Sequence, residues 1–189
     1  MRKIGILGGT FDPPHIGHLI IANEVLTALD LDEVRFMPNH TPPHKHKTDS
    51  VSNEDRIEML RRSIKNQCRF SLELIEIETP GTSYTYETIK RLKEKEPDAE
   101  YYFIIGADMI EYLPKWYNID ELVKLVHFVG VERPPYKTDS RYHVKLVDAP
   151  HIYLSSSYIR EKVKGGLSIK YLVEPAVEKY IEENSLYES

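Results

Sequence analysis

The chain of 189 residues lacks several features that would each place it in a particular class of protein. Cys68 is its only cysteine, which excludes an internal disulfide and a zinc site built on cysteines. No apolar run approaches the roughly 20 residues that a membrane-spanning helix needs, and the sequence opens without a signal peptide pattern. The net charge of −5 argues against a protein that coats nucleic acid or a membrane surface. We therefore expect a cytoplasmic protein that binds neither nucleic acid nor membrane.

Three motifs of well-known enzyme classes are also missing. There is no Walker A pattern, and Gly5, Gly8 and Gly9 do not have the spacing of a Gly-x-Gly-x-x-Gly turn. There is no Gly-x-Ser-x-Gly turn that would present a nucleophilic serine. Covalent catalysis therefore has no good candidate in this chain.

The pattern that is present predicts an α/β protein. Hydrophobic residues at 41% and charged residues at 29% are typical of a soluble globular protein, and the length fits a single domain over residues 1–189. Short apolar runs alternate with helical patterns, which predicts a Rossmann-like, doubly wound, mainly parallel sheet with a small C-terminal helical part. Strands are predicted at 3–7, 33–38, 70–77, 101–105 and 126–131, and more weakly at 144–147 and 152–154. Helices are predicted at 19–29, 53–66, 83–95, 119–125, 158–164 and 175–183.

The segment at residues 8–18, GGTFDPPHIGH, carries the strongest functional signal. It follows the first strand and precedes the first helix, and Pro13 and Pro14 suit the entry to that helix. His15 and His18 lie three residues apart, so they share a face of the first turn. Two imidazoles beside unpaired backbone N–H groups and the positive end of a helix dipole make a phosphate site. A lone histidine or glycine pair would be unremarkable, but the combination within eleven residues indicates a nucleotide-binding site.

Four polar segments follow predicted strands directly, at residues 8–18, 38–47, 106–108 and 155–157. In an open α/β sheet, ligands bind outside the carboxyl ends of the strands, where the strand order reverses. In the common order 3-2-1-4-5, the first and fourth strands flank that reversal. The position of these segments therefore predicts a dinucleotide or two-substrate site at one edge of the sheet.

The segment at 39–47, NHTPPHKHK, allows three interpretations. It is a solvated charge run, or His44 and His46 hold a metal, or Lys45 closes over phosphates, and the last is favoured because no further rigid metal ligands are evident. It belongs to one of two long loops, 39–51 and 132–141, and loops of this length are either functional or disordered.

Three further groups suit a nucleotide or an aromatic ring. The serines at 155–157 lie at a helix start with Arg160 one turn on, which is either an ordinary cap or a second phosphate site. Asp108 is placed to accept from a ribose hydroxyl after Gly106. Trp116 is placed to stack on an aromatic ring, although a lone tryptophan is more often core.

Together these residues resemble the nucleotidyltransferases with a His-x-Gly-His motif and, more narrowly, the bacterial nicotinate-mononucleotide adenylyltransferases. Residues 8–18 carry the wider resemblance. The narrower one depends on Pro42-Pro43-His44-Lys45, on residues 82–85, and on Gly106-Ala107-Asp108 followed by Trp116-Tyr117. The second signature of the family is usually Ser-Ser-Thr-x-Ile-Arg, and Ser157 keeps the hydroxyl at its third position.

The resemblance implies direct transfer, in which the phosphate of nicotinate mononucleotide attacks the α-phosphorus of ATP and pyrophosphate leaves. It implies Mg²⁺ held by the ATP phosphates, with no metal ligands from protein side chains, and a homo-oligomer, with a dimer as the first expectation. The implied catalytic residues are His15, His18, Lys45 and Arg160. The implied ATP-binding residues are Gly8, Gly9, Thr10, Phe11, His15, His18, Gly106, Asp108, Ser155, Ser156, Ser157 and Arg160. The implied nicotinate mononucleotide-binding residues are Asn39, Lys45, Thr85, Trp116 and Tyr117.

Three alternatives remain open from the sequence. A phosphopantetheine adenylyltransferase would share the histidine motif without needing Trp116-Tyr117 or residues 82–85. Class I aminoacyl-tRNA synthetases share His-Ile-Gly-His, but this chain is short for one and has no Lys-Met-Ser-Lys-Ser motif. A silent nucleotide sensor would have no need of groups that only the transition state uses, yet both histidines, Lys45 and Arg160 are present.

Overall fold

The computed structural model describes residues 1–40, 51–79, 81, 84–131 and 140–189, with the backbone alone at 107 and 108. Six strands form one parallel sheet in the order β3-β2-β1-β4-β5-β6. They are β1 (Lys3–Gly9), β2 (Glu33–Pro38), β3 (Phe70–Leu72), β4 (Glu100–Gly106), β5 (Val126–Val131) and β6 (Val144–Val147). The order reverses between β1 and β4, which confirms the predicted doubly wound, Rossmann-like architecture and the predicted position of the reversal.

Helices connect the strands and cover both faces of the sheet. They are α1 (Ile16–Ala28), α2 (Asn53–Ile64), α3 (Ile75–Glu78), α4 (Thr85–Lys95), α5 (Ala107–Ile110), α6 (Ile119–Leu125), α7 (Ser156–Lys164) and α8 (Pro175–Glu183), with a 3₁₀ turn at Leu113–Lys115. The start of α2 shows how the sequence sets a boundary. The Ser52 hydroxyl accepts the Asp55 N–H at 3.0 Å, and the Asp55 carboxylate accepts the Ser52 N–H in return. Within the described ranges, no helix has the length and apolar character needed to cross a membrane.

The core has three parts, and the alternation along each strand decides which part a side chain joins. Tyr101 and Phe103 of β4 face the layer that includes residues of α4 and α6. Tyr102 and Ile104 face the opposite layer, which includes residues of α1. A third cluster joins Met59 of α2 to a C-terminal set, Ile159, Ile169, Val173, Val177 and Ile181. This third cluster is the predicted C-terminal helical part, and it lies against α2.

Two strand predictions are wrong in part or entirely. The predicted strand at 70–77 ends at Leu72, and the chain turns into α3 at Ile75. The alternating sequence of 75–78 imitates a strand, but the Glu73 carboxylate accepts the Ile75 N–H at 3.2 Å just before the helix begins. The predicted strand at 152–154 is irregular, because Tyr153 is 99% exposed and the Leu154 N–H bonds back to Ile152 O.

The first helix begins earlier than its apolar pattern predicted. It starts at Ile16 with His15 as its N-cap, whereas the pattern indicated residue 19. Pro13 and Pro14 therefore precede the helix and do not occupy its first turn. His15 as the N-cap and His18 in the first turn of α1 agree with the predicted place of both histidines at the helix start, at the carboxyl edge of the sheet.

Candidate active site

The segment between β1 and α1, residues 10–15, is called here the histidine turn. Phe11 adopts a left-handed backbone conformation with φ of 52°, and its side chain is only 2% exposed. The ring packs against the backbone of Gly9, where a Cβ would lie 3.1 Å from it, and edge-on against His18 with centroids 4.9 Å apart. The Phe11 side chain is therefore part of the core, and its ring packs against His18.

His15 and His18 lie together at the start of α1. Their rings stack with centroids 3.7 Å apart and an interplanar angle of 25°. His18 Nδ1 accepts the backbone N–H of His15 at 3.1 Å, so the proton of a neutral His18 ring resides on Nε2 and makes that atom a donor. A Cβ on Gly17 would lie 3.0 Å from Cε1 and Nδ1 of His15. The glycine between the histidines therefore leaves the space that the His15 ring occupies.

The serine run forms the start of α7, although the predicted strand before it is absent. Ser155 is the N-cap, and its hydroxyl accepts the Tyr158 N–H at 3.2 Å. One turn on, Arg160 Nη2 donates to the Ser157 hydroxyl at 3.1 Å. The expected pairing of a serine with Arg160 on one side of this helix is present.

Side chains of α7 also bind the histidine turn directly. Arg160 Nη1 donates to Asp12 O at 2.8 Å, and the Ser156 hydroxyl donates to Pro13 O at 2.8 Å. The two segments that the sequence singled out as phosphate sites are thus in contact with each other. Their cationic and hydroxyl groups meet beside the N-terminus of α1.

Arg56 contacts the histidine turn, although it belongs to none of the sequence motifs described above. Its side chain is fully buried, with Nη1 donating to Thr10 O at 2.6 Å and Nη2 donating to Asn39 O at 2.7 Å. The Asn39 N–H in turn donates to Gly9 O at 2.9 Å, so Asn39 and Arg56 tie the loop after β2 to the histidine turn. Burial lowers the pKa of Arg56, and the nearby charge of Asp12 opposes that shift.

A sequence signal for Arg56 does exist. It precedes Met59 by three residues and Leu60 by four, so it shares the buried face of α2 with them. Charged residues on an apolar helical face are seldom buried unless they are paired, which makes such a position worth attention.

The carboxyl end of β4 leads into a second group of predicted residues. Gly106 ends β4 and is the N-cap of α5, and Asp108 lies in α5 with its side chain outside the described atoms. Trp116 is half-buried, and its ring meets Phe103 and Phe128 edge-on at 5.9 and 5.8 Å between centroids. The indole is therefore anchored to the sheet on one side.

Phe103 links this group to the end of β1. A Cβ on Gly8 would lie 3.7 Å from Cζ of Phe103, whose ring also packs against Trp116. Gly8, near the end of β1, and the anchored indole of Trp116 thus lie against the same Phe103 ring at the β1–β4 switch point. Phe103 therefore connects a residue predicted to bind ATP with one predicted to bind the mononucleotide.

The start of α4 approaches the segment after Trp116. Thr85 is the first residue of α4, and the ring of its N-cap Tyr84 lies 4.7 Å from the ring of Tyr117. Tyr117 is 53% exposed, and Tyr86 also packs against it with centroids 6.2 Å apart. Thr85 and Tyr117, predicted from separate motifs, are therefore brought to the same edge of the sheet.

Some predicted residues lie outside the described part of the chain. These are Lys45 with its neighbours His44 and His46, and Thr82 with Ser83. Among the residues that are described, no three side chains of His, Cys, Asp or Glu converge as metal ligands would. The described cations and hydroxyls suit an anionic ligand.

Comparisons with known proteins agree with this geometry. Residues 6–162 match the model of the cytidylyltransferase-like family. The chain is 53% identical over 189 residues to a probable nicotinate-nucleotide adenylyltransferase of Bacillus licheniformis, and 51% identical to the nicotinate-nucleotide adenylyltransferase of Bacillus subtilis, covering all of each chain in both cases. A solved structure of Plasmodium falciparum nicotinic acid mononucleotide adenylyltransferase complexed with NaAD shares the fold, with a TM-score of 0.81 and 23% identity over 99% of this chain and 98% of that one.

Proposed function

Because the chain belongs to the nicotinate-nucleotide adenylyltransferases of the cytidylyltransferase-like family, we propose that its site joins the AMP part of ATP to nicotinate mononucleotide. The products are nicotinate adenine dinucleotide, also called deamido-NAD, and pyrophosphate, in a step of NAD biosynthesis. The observation that carries this proposal is the stacked pair His15 and His18 at the N-terminus of α1, at the switch point of the sheet. The pair presents hydrogen-bond donors and a positive dipole end where phosphates would lie.

The reaction exchanges one phosphoanhydride bond for another. A phosphate oxygen of the mononucleotide forms a bond to the α-phosphorus of ATP, in line with the bond to the bridging oxygen that breaks as pyrophosphate leaves. Such a transfer needs positioning and charge stabilisation and no protein nucleophile. His18, with its ring proton on Nε2, donates to phosphoryl oxygens as their charge grows, and His15 supports it by stacking.

The remaining predicted ATP contacts follow from their places around the histidine turn. Gly8, Gly9 and Thr10 let phosphates approach the backbone at the end of β1, and Phe11 contributes through its backbone because its ring is buried. Arg160 and Lys45 neutralise phosphate charge, and the serines at 155–157 with Gly106 and Asp108 hold the adenosine side. Mg²⁺ would be held mainly by the ATP phosphates and would help to neutralise their charge.

The nicotinate side of the crevice is the cluster around Trp116. One side of the indole packs on the sheet, and the pyridine ring stacks on the indole. Thr85 and the Tyr117 backbone N–H receive the carboxylate, which favours nicotinate over nicotinamide. Asn39 acts toward the mononucleotide, and its Nδ2 also donates to the Thr10 hydroxyl of the histidine turn at 3.4 Å.

The dimer, the cytoplasmic location and the single transferase domain over residues 1–189 also remain predictions. Light scattering coupled to size-exclusion chromatography measures the mass of the purified assembly directly. A mass of about twice 22.0 kDa supports the dimer, and a mass of one chain contradicts it.

The test of function is pyrophosphate release by the purified protein with ATP and Mg²⁺. Nicotinate mononucleotide, nicotinamide mononucleotide and phosphopantetheine are compared as second substrates. We expect release that strongly favours nicotinate mononucleotide, with deamido-NAD identified as the product. Release with phosphopantetheine alone, or no release with any of the three despite ATP binding, contradicts the proposal.

A further inference from the structure

Tyr187 makes a contact with the histidine turn that the proposed chemistry does not use. Its hydroxyl donates to Asp12 Oδ1 at 2.6 Å, across 175 residues of sequence. Asp12 is buried, follows the left-handed Phe11 and precedes His15 by three residues. The carboxylate of Asp12 is thus held from one side by an element far from β1 in the chain.

The backbone of the same turn is held from the same direction. Asp12 O accepts from Arg160, and the Ile16 N–H donates to Leu172 O at 3.0 Å. Asp12 is therefore fixed through both its main chain and its side chain by elements of the C-terminal helical part. A turn that includes a left-handed phenylalanine needs such support, because that conformation is costly for a bulky residue.

We propose that Tyr187 is a positioning residue for catalysis, which acts through Asp12 to hold the histidine turn and so the place of His15 and His18. The inference rests on the proposed function, because adenylyl transfer is its readout. The hydroxyl acts on the turn, while the ring belongs to the third core cluster with Ile159 and Val173.

The hydroxyl remains a donor over the working pH range. Burial and the charge of Asp12 both raise the pKa of Tyr187, so the phenol keeps its proton at neutral and mildly alkaline pH. A hydrogen bond from a phenol to an ionised carboxylate is of the stronger, charge-assisted kind. Removing the hydroxyl while keeping the ring isolates this one contact.

Tyr180 supplies a matched control for Tyr187. It packs against the same third cluster, and its hydroxyl donates to Asp55 Oδ1 at 2.8 Å. Asp55 belongs to the cap of α2 and makes no contact with the histidine turn in the hydrogen bonds of the described residues. Tyr180→Phe therefore removes a similar tyrosine–aspartate bond that does not position the histidines.

The experiment compares kcat and KM of Tyr187→Phe, Tyr180→Phe and the unaltered protein, with ATP and nicotinate mononucleotide. We expect Tyr187→Phe to lower kcat about tenfold, since small displacements of catalytic groups have large effects on rate, and to leave KM for the mononucleotide within about twofold. Tyr180→Phe keeps the kcat of the unaltered protein. Equal kcat for the two variants overturns the proposal.

A second comparison introduces Tyr187→Phe into a protein that already carries Asp12→Ala. Added to Asp12→Ala, the Tyr187→Phe change should lower kcat no further, because the bond it removes is already absent. If Tyr187→Phe lowers kcat as much in the Asp12→Ala protein as in the unaltered protein, the residue does not act through Asp12. The unaltered protein tests the proposed function in the same assay, since absence of its turnover refutes that function, whereas a normal kcat in Tyr187→Phe refutes only this inference.

Discussion

Replacing Gly17 with alanine should separate activity from stability. The new Cβ would lie 3.0 Å from Cε1 and Nδ1 of His15, closer by about 0.5–1 Å than an ordinary carbon contact. His15 is 6% exposed and stacks on His18 at 3.7 Å, so it has little room to retreat. A displacement of about 1 Å in a catalytic group costs roughly 10²-fold in rate, equivalent to about 2.7 kcal/mol of transition-state stabilisation.

The same substitution should have little effect on folding. Alanine is favoured over glycine inside a helix by about 0.5–1 kcal/mol, which offsets part of the strain at the start of α1. We therefore expect kcat for pyrophosphate release to fall about 100-fold while the thermal midpoint changes by only a few degrees. Gly165→Ala is the control, because its Cβ would meet Glu161 O at an ordinary 3.4 Å. Undiminished kcat in Gly17→Ala would refute the role given to the glycine.

Three further outcomes follow from described contacts. His18→Ala should lose about 10²–10³ in kcat with an unchanged circular dichroism spectrum, and a near-normal rate would remove His18 from the mechanism. Trp116→Ala should raise KM for nicotinate mononucleotide and leave KM for ATP unchanged, whereas equal changes in both would indicate a core role only. Burial raises the pKa of Glu76, so ionisation of this carboxyl opposes folding increasingly as pH rises above its unfolded value of about 4.3. The variant Glu76→Gln keeps an acceptor for the Thr88 hydroxyl. Its thermal midpoint should exceed that of the unaltered protein at pH 8, and by a smaller margin at pH 5. Equal increases in the midpoint at both pH values would contradict this reasoning.

Sequence periodicity predicted several strands and helices with their bounds. The strands at 33–38 and 126–131 and the helices at 119–125 and 175–183 have the predicted bounds. The secondary-structure predictions are wrong where a short hydrophobic pattern is compatible with both a strand and a helix. The alternating residues 75–78 fit a strand as well as one helical turn. The hydrogen bond that the Ile75 N–H donates to the Glu73 carboxylate cannot be predicted from that alternation.

The candidate site divides in a similar way. The histidine pair and the serines with Arg160 could be predicted because each motif lies within one short segment. The burial of Arg56 could be expected from its place on the apolar face of α2. The partners of Arg56 and Tyr187 could not be predicted, because they lie 46 and 175 residues away in the chain. Long-range contacts of this kind are set by the packing of α2 and the C-terminal helices, which a single sequence does not display.

The span of the bonds that hold the histidine turn bears on the order of folding. Ser156, Arg160 and Tyr187 reach this turn across 143, 148 and 175 residues. Contacts of such high contact order form late, because long loops must close before the contacts are gained. During synthesis, β1 and α1 leave the ribosome long before these partners exist. We therefore expect a nascent chain to acquire much of its sheet before it acquires adenylyl transfer, so that activity reports completed folding more stringently than secondary structure does.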